Sequence, residues 1–197
     1  MTDVSGGTRL IELESPTVRL IRHNAAIRRK VTRFAPVILL LSLGIDPCFA
    51  QQRLQSVQAD RIVVDKSDRQ LYLYSDGELI RTMDVALGLV PEGHKQQEGD
   101  FRTPEGRYQI EAKNPDSDYF LSLKISYPNN QDRQRARARG VSPGGQIMIH
   151  GLPNEPRYAE SRYVGSDWTD GCIAVSNSDM IDLWLMTPVS TSIEIRP

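Results

Sequence analysis

Three consecutive stretches, Arg61-Ile-Val-Val-Asp-Lys66, Gln70-Leu-Tyr-Leu-Tyr74 and Leu79 to Leu87, alternate β-branched or aromatic residues with polar ones. A period of two suits a strand with one buried face, whereas an amphipathic helix repeats every 3.6 residues or so. Lys66 to Arg69 and Ser75-Asp-Gly77 separate the stretches, and Asp-Gly is a hairpin turn signal because both its residues tolerate positive φ. The pattern predicts a β-meander. Further strands are expected over Arg107 to Ala112, Phe120 to Ile125, Gln146 to His150, Cys172 to Val175 and Ser192 to Ile195, between loops marked by Pro91, Gly93, Gly99, Pro104, Gly106, Pro115, Pro143 and Gly144. Two short helices complete the picture. Ser176-Asn-Ser-Asp179 resembles a capping box ahead of the stripe Met180, Ile181, Trp184 and Leu185, with Pro188 as the stop. Asn130 to Arg139 forms the other and ends at Gly140; its arginines fall on two faces, as in a solvated helix, with anion binding as the alternative. The class is therefore mainly β with a few short helices.

The chain has 197 residues, room for one ordinary domain. Its 24 Lys and Arg stand against 25 Asp and Glu, so no global charge points to nucleic acid. A hydrophobic fraction of 39%, with 14 Gly and 12 Pro, fits a loop-rich globular domain and excludes a disordered acidic chain or a polytopic membrane protein. Only two cysteines are present, too few for a disulfide scaffold or a zinc ribbon.

Residues 1–50 read as an export signal. Arg19, Arg22, Arg28, Arg29, Lys30 and Arg33 precede an apolar run from Ala35 to Ile45, too short for a span of roughly 20 residues. Cys48-Phe-Ala50 then places small residues where a signal peptidase cleaves, and Pro47 argues against a lipoprotein site. An uncleaved anchor is the alternative, and the long unpatterned start suggests a start codon further downstream. Arg28-Arg29 sits in a poor context for a twin-arginine signal. Cleavage after Ala50 removes seven basic and four acidic residues, leaving 17 against 21 and a net charge of −4. Residues 51–60 then form a short linker and 61–197 the working domain, exported to the periplasm.

That cleavage leaves Cys172 as a lone thiol in an oxidising compartment, where it either pairs between chains or reacts. Thr169-Asp-Gly-Cys172 sets a flexible glycine before the thiol, so that the amides of Gly171 and Cys172 can point at one developing oxyanion. A base is also needed. His23 lies in the leader; His150 ends an apolar strand and is followed by Gly151, a position that holds an imidazole at the rim of a sheet. On spacing alone, a structural histidine bonded to backbone explains His150 equally well. His94 lies in the polar loop Pro91 to Gly99, which with Lys95 and Arg102 is expected to border a cleft. Tyr108, Trp168 and Trp184 suit the core better than a cleft, and Asn177 reads as a helix cap.

Residues 61–197 resemble the L,D-transpeptidase catalytic domain, the YkuD family, and within it a proteobacterial subgroup of YafK-like and ErfK-like proteins. The resemblance rests on His150-Gly151, a loop, then Thr169-Asp-Gly-Cys-Ile-Ala-Val-Ser-Asn177, together with Thr103-Pro-Glu-Gly-Arg-Tyr-Gln-Ile110 and the opening hairpin. It implies a β-sandwich or barrel-like domain, Cys172 as nucleophile, His150 as proton shuttle, Gly171 as oxyanion amide and the Gly151 carbonyl orienting the imidazole. It also implies a thioester formed on a peptidoglycan stem peptide and resolved by a second stem, without metal or cofactor. Asp170 stands where many members have His, Ala174 where many have Arg, and the loop after His150 is a few residues longer than common. These departures leave the acyl acceptor open: a hydrolase that trims stems or releases a wall-linked lipoprotein is the alternative, and a non-catalytic wall-binding module a third reading. Thr169, Asp170, His94 and Arg102 are expected to touch substrate.

Overall fold

The computed structural model describes residues 57–197; the expected export signal lies outside the described residues. Eight strands follow in order: β1 Arg61–Asp65, β2 Gln70–Ser75, β3 Glu78–Asp84, β4 Gly106–Ser117, β5 Phe120–Ile125, β6 Met148–His150, β7 Ile173–Ala174 and β8 Ser192–Arg196. The helices are α1 Asn130–Ala138, α2 Glu160–Val164 and α3 Asn177–Met186.

The opening meander forms as the alternation predicts. β1 pairs antiparallel with β2, and β2 with β3. Asp76 and Gly77 take φ of 51° and 84°, the two positive values that a type I′ hairpin turn requires. Ala59, expected in the linker, is already packed into the domain, its amide donating to the Met186 carbonyl at 2.7 Å.

The sheet runs β3-β2-β1-β8-β4-β5-β6-β7. β8, last in the chain, inserts parallel to β1 and antiparallel to the start of β4. β4 then changes partner: from Gly106 to Gln109 it pairs with β8, and from Ile110 onward with β5. Its twelve residues exceed the expected Arg107 to Ala112 and run through Pro115, tolerated because the register breaks between Asn114 and Ser117 and no ladder bond needs its missing N–H. The expected mainly β class with a few short helices holds, and the sheet is open, with β3 and β7 as its edges. The segment after β3 bridges back to the β7 side: Ala86 and Ala174 exchange hydrogen bonds of 2.9 and 2.8 Å, and Gly88 bridges Thr169.

One apolar core joins both halves, with Ile62, Leu71, Ile110, Ile125 and Ile149 facing Met180 and Leu183 of α3. The Ser176 hydroxyl caps α3 by accepting the Asp179 amide at 3.1 Å, and Thr187 ends it just before Pro188. In α1, Asn129 and Asp132 form a reciprocal capping box, Asp132 and Ala136 face inward, and all four arginines stay exposed. Two differences from expectation have local causes. β6 begins at Met148 because Gln146 has φ 57°, outside the extended region. Five residues between His150 and Thr169 form α2, too few to show a helical period in sequence.

Between Leu89 and Glu105 no regular element forms, and the chain is held by buried charge. Lys66, 2% exposed, donates to the carbonyls of Gly93 and Thr103 at 2.8 and 3.3 Å and to Glu105 Oε1 at 2.7 Å. Removing one partner of such a pair strands the other charge, which costs about 3 kcal/mol or more, whereas an exposed pair contributes under about 1 kcal/mol. Glu105→Ala is therefore expected to lower the urea unfolding free energy by about 3 kcal/mol, and Arg81→Ala, which breaks the exposed Arg81–Asp182 pair, by less than about 1 kcal/mol. Equal losses in the two variants would show that the Lys66 anchor does not hold this loop.

Candidate active site

β6 and β7 lie side by side and parallel, Ile149 opposite Ile173 and His150 opposite Ala174. Side chains alternate along both strands, so Cys172, two residues before Ala174, projects to the same face as His150. Register parity alone brings the thiol and the imidazole together. They line one cavity of about 430 Å³, whose other walls include Tyr119, Trp168, Asp170 and Asp116.

Each group is held from behind. His150 Nδ1 lies 2.7 Å from the Gly151 carbonyl oxygen, an atom that can only accept, so Nδ1 carries the proton and Nε2 is the free base of the neutral ring. Rings of Tyr119 and Trp168 pack against the imidazole with centroids 4.6 and 5.6 Å away. The turn after His150 is clamped by Asn177, whose Oδ1 accepts the Leu152 amide at 2.8 Å and stands 2.5 Å from where a Gly151 side chain would begin. Asn177 is the first residue of α3, not its cap as the sequence suggested.

The Thr169 hydroxyl folds the cysteine loop, donating to the Cys172 carbonyl at 2.7 Å and accepting the Gly171 amide at 3.1 Å. That bond changes one expectation. The Gly171 amide is already committed to Thr169, whereas the Cys172 amide has no hydrogen-bond acceptor among the described residues. Gly171 instead serves a close approach: at φ 127°, a side chain there would start 2.6 Å from the Arg102 carbonyl oxygen.

Of the residues expected at a cleft, two lie elsewhere. His94 is a strut, with Nδ1 accepting the Glu105 amide at 3.0 Å and Nε2 at 3.2 Å from Asp132 Oδ1 on α1. The Arg102 guanidinium packs near Gly93, and only its main chain backs the cysteine loop. Lys95 and Asp170 do reach the thiol, since with Cys172 and Gln146 they line a second cavity of about 370 Å³ on its other side. Trp168 lines the first cavity rather than the core, while Tyr108 is buried and Trp184 packs against the core. Tyr119 escaped the sequence reading, because nothing in spacing ties a β4–β5 turn to His150. Among the described residues, no group of three or more His, Cys, Asp or Glu could hold a metal ion.

Electrostatics favour the neutral form of both the thiol and the imidazole. Burial pushes the Cys172 thiol up, the Met148 N–H opposes this, the Asp170 carboxylate adds to it and the Lys95 ammonium, buried and 2.8 Å from Asp100, opposes it. Burial pulls the His150 imidazole down, against the bond to the Gly151 carbonyl. Both shifts disfavour a resting thiolate–imidazolium pair. Alkylation at Cys172 by iodoacetamide, followed by peptide mass, should keep rising with pH beyond the ordinary thiol range near ~8.5. Asp170→Asn should move that curve to lower pH and Lys95→Gln to higher pH. A rate already at plateau in mild acid would show an ion pair instead.

A family model described as the YkuD L,D-transpeptidase catalytic domain matches residues 59–195. The chain is 37% identical over 99 residues to the "Putative L,D-transpeptidase YafK" of Escherichia coli K12, a match covering 46% of this chain and 37% of the relative's length. The helical cell shape determining protein Pgp2 of Campylobacter jejuni superposes with a TM-score of 0.52 at 26% identity, covering 71% of this chain and 48% of that one. Bdellovibrio bacteriovorus Bd1075 shares the fold at 23% identity, with a TM-score of 0.50 and coverage of 71% and 48%. The chain thus spans about half or less of these relatives. With a family model covering nearly all the described residues, the chain belongs to the YkuD family of L,D-transpeptidase catalytic domains.

Proposed function

We propose that this chain is a cysteine acyltransferase that acts on peptidoglycan stem peptides in the periplasm. The observation that carries the reading is the shared cavity of Cys172 and His150, in which the Gly151 carbonyl fixes the imidazole with Nε2 as its free base. In this mechanism Nε2 takes the Sγ proton as the sulfur attacks the carbonyl that joins a diamino acid to a terminal D-residue. The neutral resting pair makes this transfer concurrent with attack. The Cys172 amide holds the developing oxyanion, and one such donor lowers the barrier by roughly 3 kcal/mol. The imidazolium then protonates the leaving amine, the C–N bond breaks, and a thioester remains on Sγ. An amine of a second stem, or water, attacks the thioester, gives its proton to Nε2 and releases the thiol.

Thr169 positions the loop and Gly151 the imidazole, while Asp170 offers a carboxylate to a cationic group of the stem from the shared wall of both cavities. The basic segment, apolar core and Cys48-Phe-Ala50 exit of the leader support export.

Purified protein incubated with sacculi should yield cross-linked or D-amino-acid-exchanged muropeptides, and Cys172→Ala should lower turnover by at least about 10⁴-fold while retaining the folded circular dichroism spectrum. Trimmed monomers alone would assign hydrolysis. Undiminished products from Cys172→Ala, or no mass adduct at Cys172 with a carbapenem, would count against a thioester route.

A further inference from the structure

Next to the catalytic cavity lies a larger one of about 950 Å³, built mainly by the segment between His150 and Thr169. The two cavities share Asp118, Tyr119 and Trp168 as a common wall. From that wall a line of aromatic rings leads away from His150. Tyr119 lies 6.0 Å from Trp168, Trp168 5.1 Å from Tyr163, and Tyr163 6.1 Å from Tyr158. Tyr119 and Tyr158 are 39% and 56% exposed, so their surfaces are available to a ligand.

The line is rigidly backed. Trp168 Nε1 donates to the Tyr163 carbonyl at 3.0 Å, and the Tyr163 hydroxyl accepts the Arg157 amide at 2.9 Å. The Arg162 guanidinium stacks on Tyr158 at 4.7 Å, and neither it nor that of Arg157 pairs with a carboxylate among the described residues.

Charge selects the class of ligand. Asp167 is consumed by Arg69, at 2.8 Å, and by the Leu87 amide. That leaves Arg157 and Arg162 against Asp118 and Glu155, a groove with no net sign. An anionic or cationic peptide would find little to favour it there. A neutral ligand with apolar faces and a polar rim fits, because aromatic rings take the C–H faces of pyranose rings while guanidinium and phenol groups bond hydroxyls and N-acetyl amides.

We infer that this groove is a glycan subsite, which holds N-acetylated sugar rings of the wall strand whose stem peptide reaches Cys172. The inference rests on the stem-peptide reading above, since the sugar-bearing end of such a stem must leave the catalytic cavity by some wall, and the Tyr119–Trp168 wall opens into a groove of this chemistry.

The test has a binding arm and a kinetic arm. An N-acetylglucosamine tetramer titrated into Cys172→Ala protein should saturate and shift backbone amide resonances of residues 153–163. Tyr158→Ala and Arg157→Ala in that background should weaken the tetramer about tenfold, and Tyr158→Phe should retain it. A sugar-free stem tetrapeptide should leave those resonances in place. In active protein the two alanine variants should raise KM about tenfold for a disaccharide-linked tetrapeptide and leave the free tetrapeptide unaffected. No saturable tetramer binding, tetramer binding indifferent to Tyr158→Ala, or equal kinetic losses on both substrates would each overturn the subsite. Tetramer binding without turnover of either substrate would keep the subsite and overturn the acyl-transfer reading.

Discussion

The pairing of Ile149 with Ile173 and of His150 with Ala174 is a ladder of only two residues, yet the candidate site depends on it. Slipping that register by one position would turn Cys172 to the opposite face of the sheet from His150, since side-chain direction alternates residue by residue. So short a strand cannot hold its own register and is fixed from outside. Ile173 is fully buried in the core, and Ala174 exchanges two hydrogen bonds with Ala86 on its other side. The bridge from the segment after β3 thus also locks the thiol in phase with the imidazole.

Tight main-chain approaches finish the job. Gly171 lies against the Arg102 carbonyl, and Gly88 against the Phe101 carbonyl, 2.2 Å from where its side chain would begin. The loop that supplies those carbonyls has no ladder of its own. It is anchored by Lys66, Lys95 and the His94–Asp132 contact, three polar ties that fold the segment under the cysteine. His94 is consumed in this scaffold, which explains why it is absent from the cavity that Thr169 and Asp170 line. Isolated polar residues in a Gly- and Pro-rich loop give no sign of which face inward, because that depends on partners far along the chain.

Local patterns gave the opening strands, the Asp76-Gly77 turn and the helices α1 and α3, because each depends on residues within a few positions; spacing left His150 open between a base and a structural histidine. Less legible were the ends of β4 and β6, the short α2, and the second role of Asn177. A register break in β4, a positive φ at Gln146, the brevity of α2 and the long-range contact of Asn177 with the turn after His150 decided these outcomes. The amide of Gly171 shows the same limit at the scale of one bond. Its place beside Cys172 is plain in sequence, but the hydroxyl that claims it is visible only once Thr169 folds back.

By itself, the sequence determined a mainly β domain and a His150 and Cys172 pair set in glycine-flanked positions, because period-two alternation and turn residues act over short spans. Only the tertiary structure decided that the two groups share a face, that burial favours the neutral form of both, and that a ring-lined groove opens beside them. Those outcomes depend on strand register and on the exclusion of water by segments distant in sequence, and neither quantity is written in any local stretch of the chain.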